Sequence, residues 1–293
     1  MAADRVWKVQ EPAVITHHLP CRDKDYMMLD CHAHIYSPEF SDVQQTLEAA
    51  YAAGVRAILN VSETVEDALK ILELAQEYPI LQPCLGLHPV QPGAQGSRSV
   101  RLDEVDKIME LIRENSERIV AIGECGLDFS PHVLAGSDVP PAAQKEIQKK
   151  VFGAQLCVAN EIGVPVNVHS RQAGHYAVDL MIEAGSKGLL HAFDGKVGHA
   201  LKAVHNGCLI SIAPSVVRSP HLQKLAKAIP LDHLVLETDS PALGPANGVQ
   251  NVPANVRIAC EHVAKIKGMS FEDVEAMTTE NAMKMFRRVR PVE

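Results

Sequence analysis

From Leu29 onward, short apolar runs of about four to six residues alternate with longer stretches in which apolar side chains recur every third or fourth position. The short runs have the length and flanks of buried strands, and the longer ones have the period of amphipathic helices. The pattern predicts a first strand at Met27-Met28-Leu29, then strands over 55–61, 80–87, 119–123, 164–168, 188–190, 208–212 and 233–236. Helices are predicted over about 41–53, 65–78, 102–115, 142–162, 176–184, 198–205, 220–228, 252–267 and 271–287. Gly54 and Gly163 follow helix ends, Pro79 stops the second helix, and Ser270-Phe271-Glu272-Asp273 has the form of a capping box.

Eight strands alternating with helices predict an α/β fold, a (β/α)8 TIM barrel, which forms a single domain at roughly 250 residues. An open doubly wound sheet is the runner-up, but it would show a Gly-rich phosphate loop after an early strand, and none is present. Residues 27–293 read as the barrel domain. Residues 1–26 carry both charge signs, His17-His18 and Pro20 but no apolar h-region, and read as an N-terminal extension rather than a targeting segment. The stretches 93–99 and 129–141 are the loosest internal pieces. Both follow strands and are expected as loops bordering a site.

Composition narrows the function classes. With 46% hydrophobic and 22% charged residues the chain is of ordinary globular type, and no apolar run approaches the roughly 20 residues of a membrane span. A net charge of −8 argues against broad electrostatic binding of nucleic acid, yet it leaves room for a nuclease whose cleft holds cations. The 7 cysteines are dispersed with no Cys-x-x-Cys, which reads as buried thiols in a reducing compartment, cytoplasm or nucleus, and not as a secreted protein. The sequence does not set the oligomeric state, and a monomer is compatible with it.

The informative chemistry lies at the carboxyl ends of the predicted strands. In Asp30-Cys31-His32-Ala33-His34, two-residue alternation puts Asp30, His32 and His34 on one face and Cys31 and Ala33 on the other. Two imidazoles then converge as metal ligands, with Asp30 placed to fix a ring tautomer. Later strands end in His88, Glu124, His169, His191 and Asp239. In a barrel these ends share one face, the face that carries catalysis. Four imidazoles and two carboxylates suffice for two divalent ions, with Glu124 the natural bridge because it has two oxygens. His88 has no clear metal role and is a candidate to contact the scissile phosphate or protonate the leaving oxygen. Arg171 has the planar fork that suits phosphate. Lys196 and Arg218 are weaker candidates of the same kind, Glu237 is inward-facing, and alternation turns Cys125 away from the site.

In this order, Asp30-Cys31-His32-Ala33-His34, Gly86-Leu87-His88-Pro89, Ile122-Gly123-Glu124-Cys125-Gly126-Leu127-Asp128-Phe129, Pro165-Val166-Asn167-Val168-His169-Ser170-Arg171, His191-Ala192-Phe193-Asp194-Gly195 and Glu237-Thr238-Asp239-Ser240-Pro241 resemble the motifs of the TatD family, metal-dependent deoxyribonucleases on an amidohydrolase-type barrel. The resemblance runs from about Leu29 to the end and is greatest to the eukaryotic TatD DNase domain-containing protein 3 group. It implies that His32, His34, Glu124 and Asp239 hold one metal and that Glu124, His169 and His191 hold the other, the ions being Zn, Mn or Mg. Phe129 stands where many relatives carry Tyr.

The resulting expectation is a hydrolase of DNA phosphodiester bonds that uses a metal-activated water, as a 3′ exonuclease, an abasic-site endonuclease or both. Asp239 would accept the proton of the nucleophile, with Glu124 and His88 beside it in the catalytic group. An amide, ester or phosphotriester hydrolase on the same barrel is the competing enzymatic reading, although the carbamylated Lys such enzymes often use as a bridge has no counterpart here. A noncatalytic metal-binding scaffold is the third reading.

Overall fold

The computed structural model describes residues 27–94, 96–136 and 139–293, so the extension expected over residues 1–26 lies outside the described residues. In chain order the elements are β1 (Met28–Ala33), α1 (Val43–Ala52), β2 (Val55–Val61), α2 (Val65–Glu77), β3 (Leu81–Leu85), β4 (Val90–Gly93), β5 (Gly96–Ser99), α3 (Val105–Glu114), β6 (Ala121–Gly126), α4 (Pro131–Leu134) and α5 (Pro141–Ile162). They continue with β7 (Val166–His169), α6 (Gly174–Glu183), β8 (Gly188–Leu190), α7 (Val197–His205), β9 (Leu209–Ile212), α8 (Pro220–Ala228), β10 (Leu234–Leu236), α9 (Val256–Lys267) and α10 (Phe271–Met285).

Eight of these strands form one parallel sheet in the order β1-β2-β3-β6-β7-β8-β9-β10. Its edges meet through a parallel bridge between Ala33 and Ser240. Asp239 N–H donates to the His32 carbonyl and His34 N–H to the Ser240 carbonyl, each at 2.8 Å. The expected (β/α)8 barrel is therefore the fold, and the open sheet is not. Two expectations need correction. The stretch around Gly93–Ser99 is not a loose loop but part of an antiparallel hairpin of β4 and β5, and the stretch after Phe129 carries the short helix α4.

Helix ends follow the local chemistry. Thr64 caps α2 in a complete capping box with Asp67, Ser219 and Ser270 cap α8 and α10, and Gly163 and Gly268 close α5 and α9 in the left-handed conformation. Strand side chains divide between two apolar clusters. Ile58, Leu85, Ile122, Val166, Val168, Leu190, Ile210 and Leu236 join the apolar faces of the helices. Leu29, Ala57, Leu59, Leu189, Leu209 and Val235 gather with Ala282, Phe286 and Val289 of the C-terminal segment, filling the barrel interior away from the mouth. Among the described residues, no helix is long and apolar enough to cross a membrane.

The first strand departs from simple alternation. Its register against β2 shifts between Asp30 and Ala33, so Cys31 packs in the interior cluster while Ala33 joins the outer one. They do not share a face as expected. Asp30 also does something other than fix a tautomer: Oδ1 accepts the Thr238 N–H at 2.8 Å and Oδ2 accepts the Thr238 hydroxyl at 2.5 Å. Burial pushes this carboxyl up to about 7, against the pull of the Thr238 and His32 hydrogen bonds. Asp30 thus ties the first strand to the last across the seam of the barrel. Replacing Asp30 by Ala leaves buried donors without an acceptor at that seam. Asp30→Ala is expected to lower unfolding free energy by about 3 kcal/mol, read as a shift of the urea midpoint, with Asp30→Asn losing less.

Candidate metal centre at the barrel mouth

The carboxyl ends of the strands open into a cavity of about 980 Å³ lined by His34, His88, Glu124, His169, His191, Asp239, Arg171 and Arg218, among others. Glu124 sits at its floor, nearly fully buried, and its two oxygens face different partners. Oε2 lies 3.5 Å from His32 Nε2 and 3.4 Å from His34 Nε2. Oε1 lies 2.7 Å from His191 Nε2, 3.0 Å from His169 Nδ1 and 3.3 Å from His88 Nε2. Asp239 Oδ1 completes the first group, 3.5 Å from His32 Nε2 and 3.4 Å from His34 Nε2. Every residue predicted as a ligand is therefore brought to one place. His88, which was left outside the ligand set, is there as well.

Three overlapping groups have donor atoms close enough to hold an ion: His32, His34 and Glu124; His32, His191 and Asp239; and His88, Glu124 and His169. For His32, His34 and His169 the far side of the ring shows which nitrogen is free to bind one. His32 Nδ1 lies 2.8 Å from Asn167 Oδ1, and because Asn167 Nδ2 donates to the Cys31 carbonyl at 2.8 Å, its oxygen is the acceptor. His32 therefore carries its proton on Nδ1. Tyr36 donates its hydroxyl proton to Glu63 Oε2 at 3.2 Å, so its oxygen accepts from His34 Nδ1 at 3.1 Å. In neutral rings the two Nε2 lone pairs then face each other 3.2 Å apart. Two lone pairs in that position repel unless a cation lies between or beside them, and a set of imidazole and carboxylate donors suits a divalent ion. His169 follows the same logic, with Nε2 held by Asp128 Oδ2 at 3.1 Å and Nδ1 turned to the centre.

The electrostatics reflect this crowding. Burial alone would raise the Glu124 carboxyl, but the charges of His88, His191 and His32 and the hydrogen bond from His169 hold it well below the usual carboxylate range. Burial would lower His34, yet its hydrogen bond to Asp239 and the charges of Glu124 and Glu63 push it up to about 10. For His169, Asp128 and Glu124 likewise outweigh burial and push the ring up to about 9. His191, stacked on His32 with centroids 3.6 Å apart, goes the other way, down to about 4 through burial and the neighbouring charge of His32.

Sequence reasoning missed the parts that hold this centre from outside. Buried glutamines of α5 clamp two mouth loops: Gln155 exchanges hydrogen bonds with both backbone groups of Leu87, and Gln148 does the same with Asp128. His88 and the partner of His169 are fixed in this way. The signal was the placement of Gln144, Gln148 and Gln155 on the face of α5 that carries Val151 and Phe152, where apolar side chains would be expected. Asp128 braces its own loop by accepting the Ser130 N–H at 2.8 Å, and it also holds His169. Cys125 is buried with its thiol against the Ile122 and Asn167 carbonyls and takes no part in the centre. Arg171 and Arg218 both line the cavity. Lys196 is exposed and is not among its lining residues.

The model of the family described as TatD related DNase matches residues 29–287. This chain belongs to the TatD family. Its TatD relatives include the Homo sapiens protein named Deoxyribonuclease TATDN3, 44% identical over 267 residues that span 90% of this chain and 96% of that one. The Salmonella typhimurium 3'-5' ssDNA/RNA exonuclease TatD is 30% identical over 275 residues, 89% of this chain and 100% of that one. Among solved structures, the TatD homolog YJJV of Escherichia coli superposes with a TM-score of 0.77 at 25% identity, covering 89% of this chain and 98% of its own.

In this TatD barrel a glycine sets how closely the strands that carry Glu124 and His169 approach. Gly126 has φ of 137°, and a Cβ there would lie 2.0 Å from the His169 carbonyl oxygen. Gly126→Ala is expected to lower stability by at least about 2 kcal/mol, seen as a fall in the urea midpoint, and to weaken metal retention because His169 moves with its strand.

Proposed function

We propose that this chain is a metal-dependent deoxyribonuclease that hydrolyses phosphodiester bonds at a strand end or an abasic site. One observation carries the reading: Glu124 turns one oxygen to His32 and His34 and the other to His169 and His191. A bridging carboxylate between two cations has this geometry. His32, His34, Glu124 and Asp239 would hold one divalent ion, and Glu124, His169 and His191 the second. Of Zn, Mn and Mg, donors of this mixture suit Zn and Mn better than Mg, which prefers an all-oxygen set. Bound there, the cations would lower the pKa of water and neutralise charge on the phosphate.

The remaining work falls to side chains of the mouth. Asp239, partly exposed at the rim, accepts the proton of the attacking water. Burial would raise its carboxyl, but the His34 hydrogen bond and the charges of His32 and His191 hold it low, so it is ionised. His88 turns Nε2 inward while its Nδ1 is engaged at 3.1 Å by the Val90 backbone. A proton on that inward nitrogen meets a phosphate oxygen or the leaving oxygen. Arg171 enters the cavity with a guanidinium suited to bidentate phosphate contact. The cavity of about 980 Å³ has room for a few nucleotide units, which favours cleavage at a strand end or an abasic site. The name of the human relative supports DNA as the polymer, and that of the Salmonella relative covers single-stranded DNA and RNA alike.

The test is a panel of labelled DNA, RNA, amide, ester and phosphotriester substrates with the metal-loaded protein. DNA cleavage is expected, with Asp239→Asn lowering kcat by about 10²-fold or more. Turnover of an amide or phosphotriester without DNA cleavage would replace this reading with the other hydrolase, and metal binding without any turnover would leave a scaffold. Elemental analysis supplies an independent prediction. Glu124→Ala is expected to lose most bound metal, and full retention would remove the bridging role.

A further inference from the structure

Only 4% of the chain is Phe, Trp or Tyr, so an aromatic ring left in solvent is informative. Among the described residues Tyr51 and Tyr176 are the aromatic side chains counted as exposed. Tyr51 is engaged, its hydroxyl donating to the Glu293 carbonyl and its ring covered by Arg56. Tyr176 stands at the start of α6 with 40% of its surface open, backed by the buried ring of Phe129 at 5.4 Å and flanked by His175 at 3.8 Å. His175 in turn lies 5.4 Å from His199 on α7. The four rings form a continuous row.

The row begins at the mouth. Phe129 N–H donates to the Arg171 carbonyl at 3.0 Å, so its inner end sits on the loop that carries Arg171 into the cavity. Cations accompany it: Lys145 lies 5.0 Å over Phe129 and Lys149 5.0 Å over Tyr176. Lys149 shares its charge with Glu146 at 2.7 Å, and the exposed Asp194 holds the Gln172 N–H nearby. The opposite side of the cavity is acidic, with Glu39, Glu63 and Asp67. A polyanion entering the mouth is repelled from that side and drawn toward Arg171 and the row. Rings in series beside cations are the pattern that receives unpaired bases, since bases in a duplex have no free face to stack.

We propose that the Tyr176–His175 row, with Lys145, Lys149 and Arg171, is a platform on which the unpaired strand of the substrate rests outside the metal centre. This rests on the deoxyribonuclease reading for the identity of the polymer, and it adds a binding surface beyond the cavity that does the chemistry. Phe129, whose ring supports Tyr176 from below, gains a role that needs no phenol hydroxyl.

The experiment measures binding of a fluorescein-labelled ten-residue oligothymidylate with phosphorothioate linkages to the full-length, metal-loaded chain by anisotropy. Tyr176→Ala is expected to weaken binding about ten-fold, the loss of one base–aromatic stack, while Tyr176→Phe keeps wild-type affinity. Lys145→Glu with Lys149→Glu is expected to weaken it as well and to flatten its salt dependence. Thermal melting confirms that each variant is folded. Wild-type affinity in Tyr176→Ala, or an equal loss for the same sequence annealed into a duplex, would overturn the platform. Cleavage of the ordinary phosphodiester strand is followed in parallel. If the wild type binds through Tyr176 but cuts no DNA, the platform stands and the deoxyribonuclease reading falls.

Discussion

A single buried carboxylate, Glu124, organises the functional end of this barrel. A carboxylate taken out of water is costly unless charge or hydrogen bonds meet both of its oxygens. Here five imidazoles do so from the ends of four strands, and no lysine or arginine side chain approaches among the ion pairs of the described residues. Rings that can lose their protons are suited to a centre that exchanges protons for cations, which a fixed guanidinium would not permit. The outer supports then follow, because an imidazole that is to hold an ion must present its bare nitrogen inward. Asn167, Tyr36 with Glu63, and Asp128 each take the opposite nitrogen of a ring.

The barrel separates stability from chemistry along its axis. Away from the mouth the interior is apolar, closed by Phe286 and Val289 after the last helix has passed beneath the strands. Toward the mouth the interior becomes polar one layer at a time, from Asn167 and Glu237 to the imidazoles and then to the open cavity. Glu237 marks the boundary. Its Oε1 accepts the Ala192 N–H at 2.9 Å, while Oε2 is 3.8 Å from His191 Nδ1 and burial pushes the carboxyl up to about 8.

Much of this was legible in the residues themselves. Strand positions could be read because each is a short apolar run ending in a chemically distinctive residue, and in a parallel barrel all such ends face the same way. Along β7 alternation holds, with Asn167 and His169 turned inward and Val166 and Val168 outward. It failed for β1 because a register shift between Asp30 and Ala33 lets consecutive residues serve different needs, and a shift of this kind leaves no mark in a hydropathy pattern. The Glu63, Asp128 and Gln155 contacts were equally out of reach, being pairings across 27 to 68 residues that local spacing does not encode. The β4–β5 hairpin was read as a loop because its Gly and Ser content outweighs any apolar alternation.

The bond between Asp30 and Thr238 joins residues 208 positions apart. During synthesis His32 and His34 leave the ribosome long before Asp239 exists, and their half of the centre waits on a seam that only the final strand can close. A chain that stops short of Thr238 lacks both this seam and Asp239, and the groups gathered around Glu124 stay incomplete.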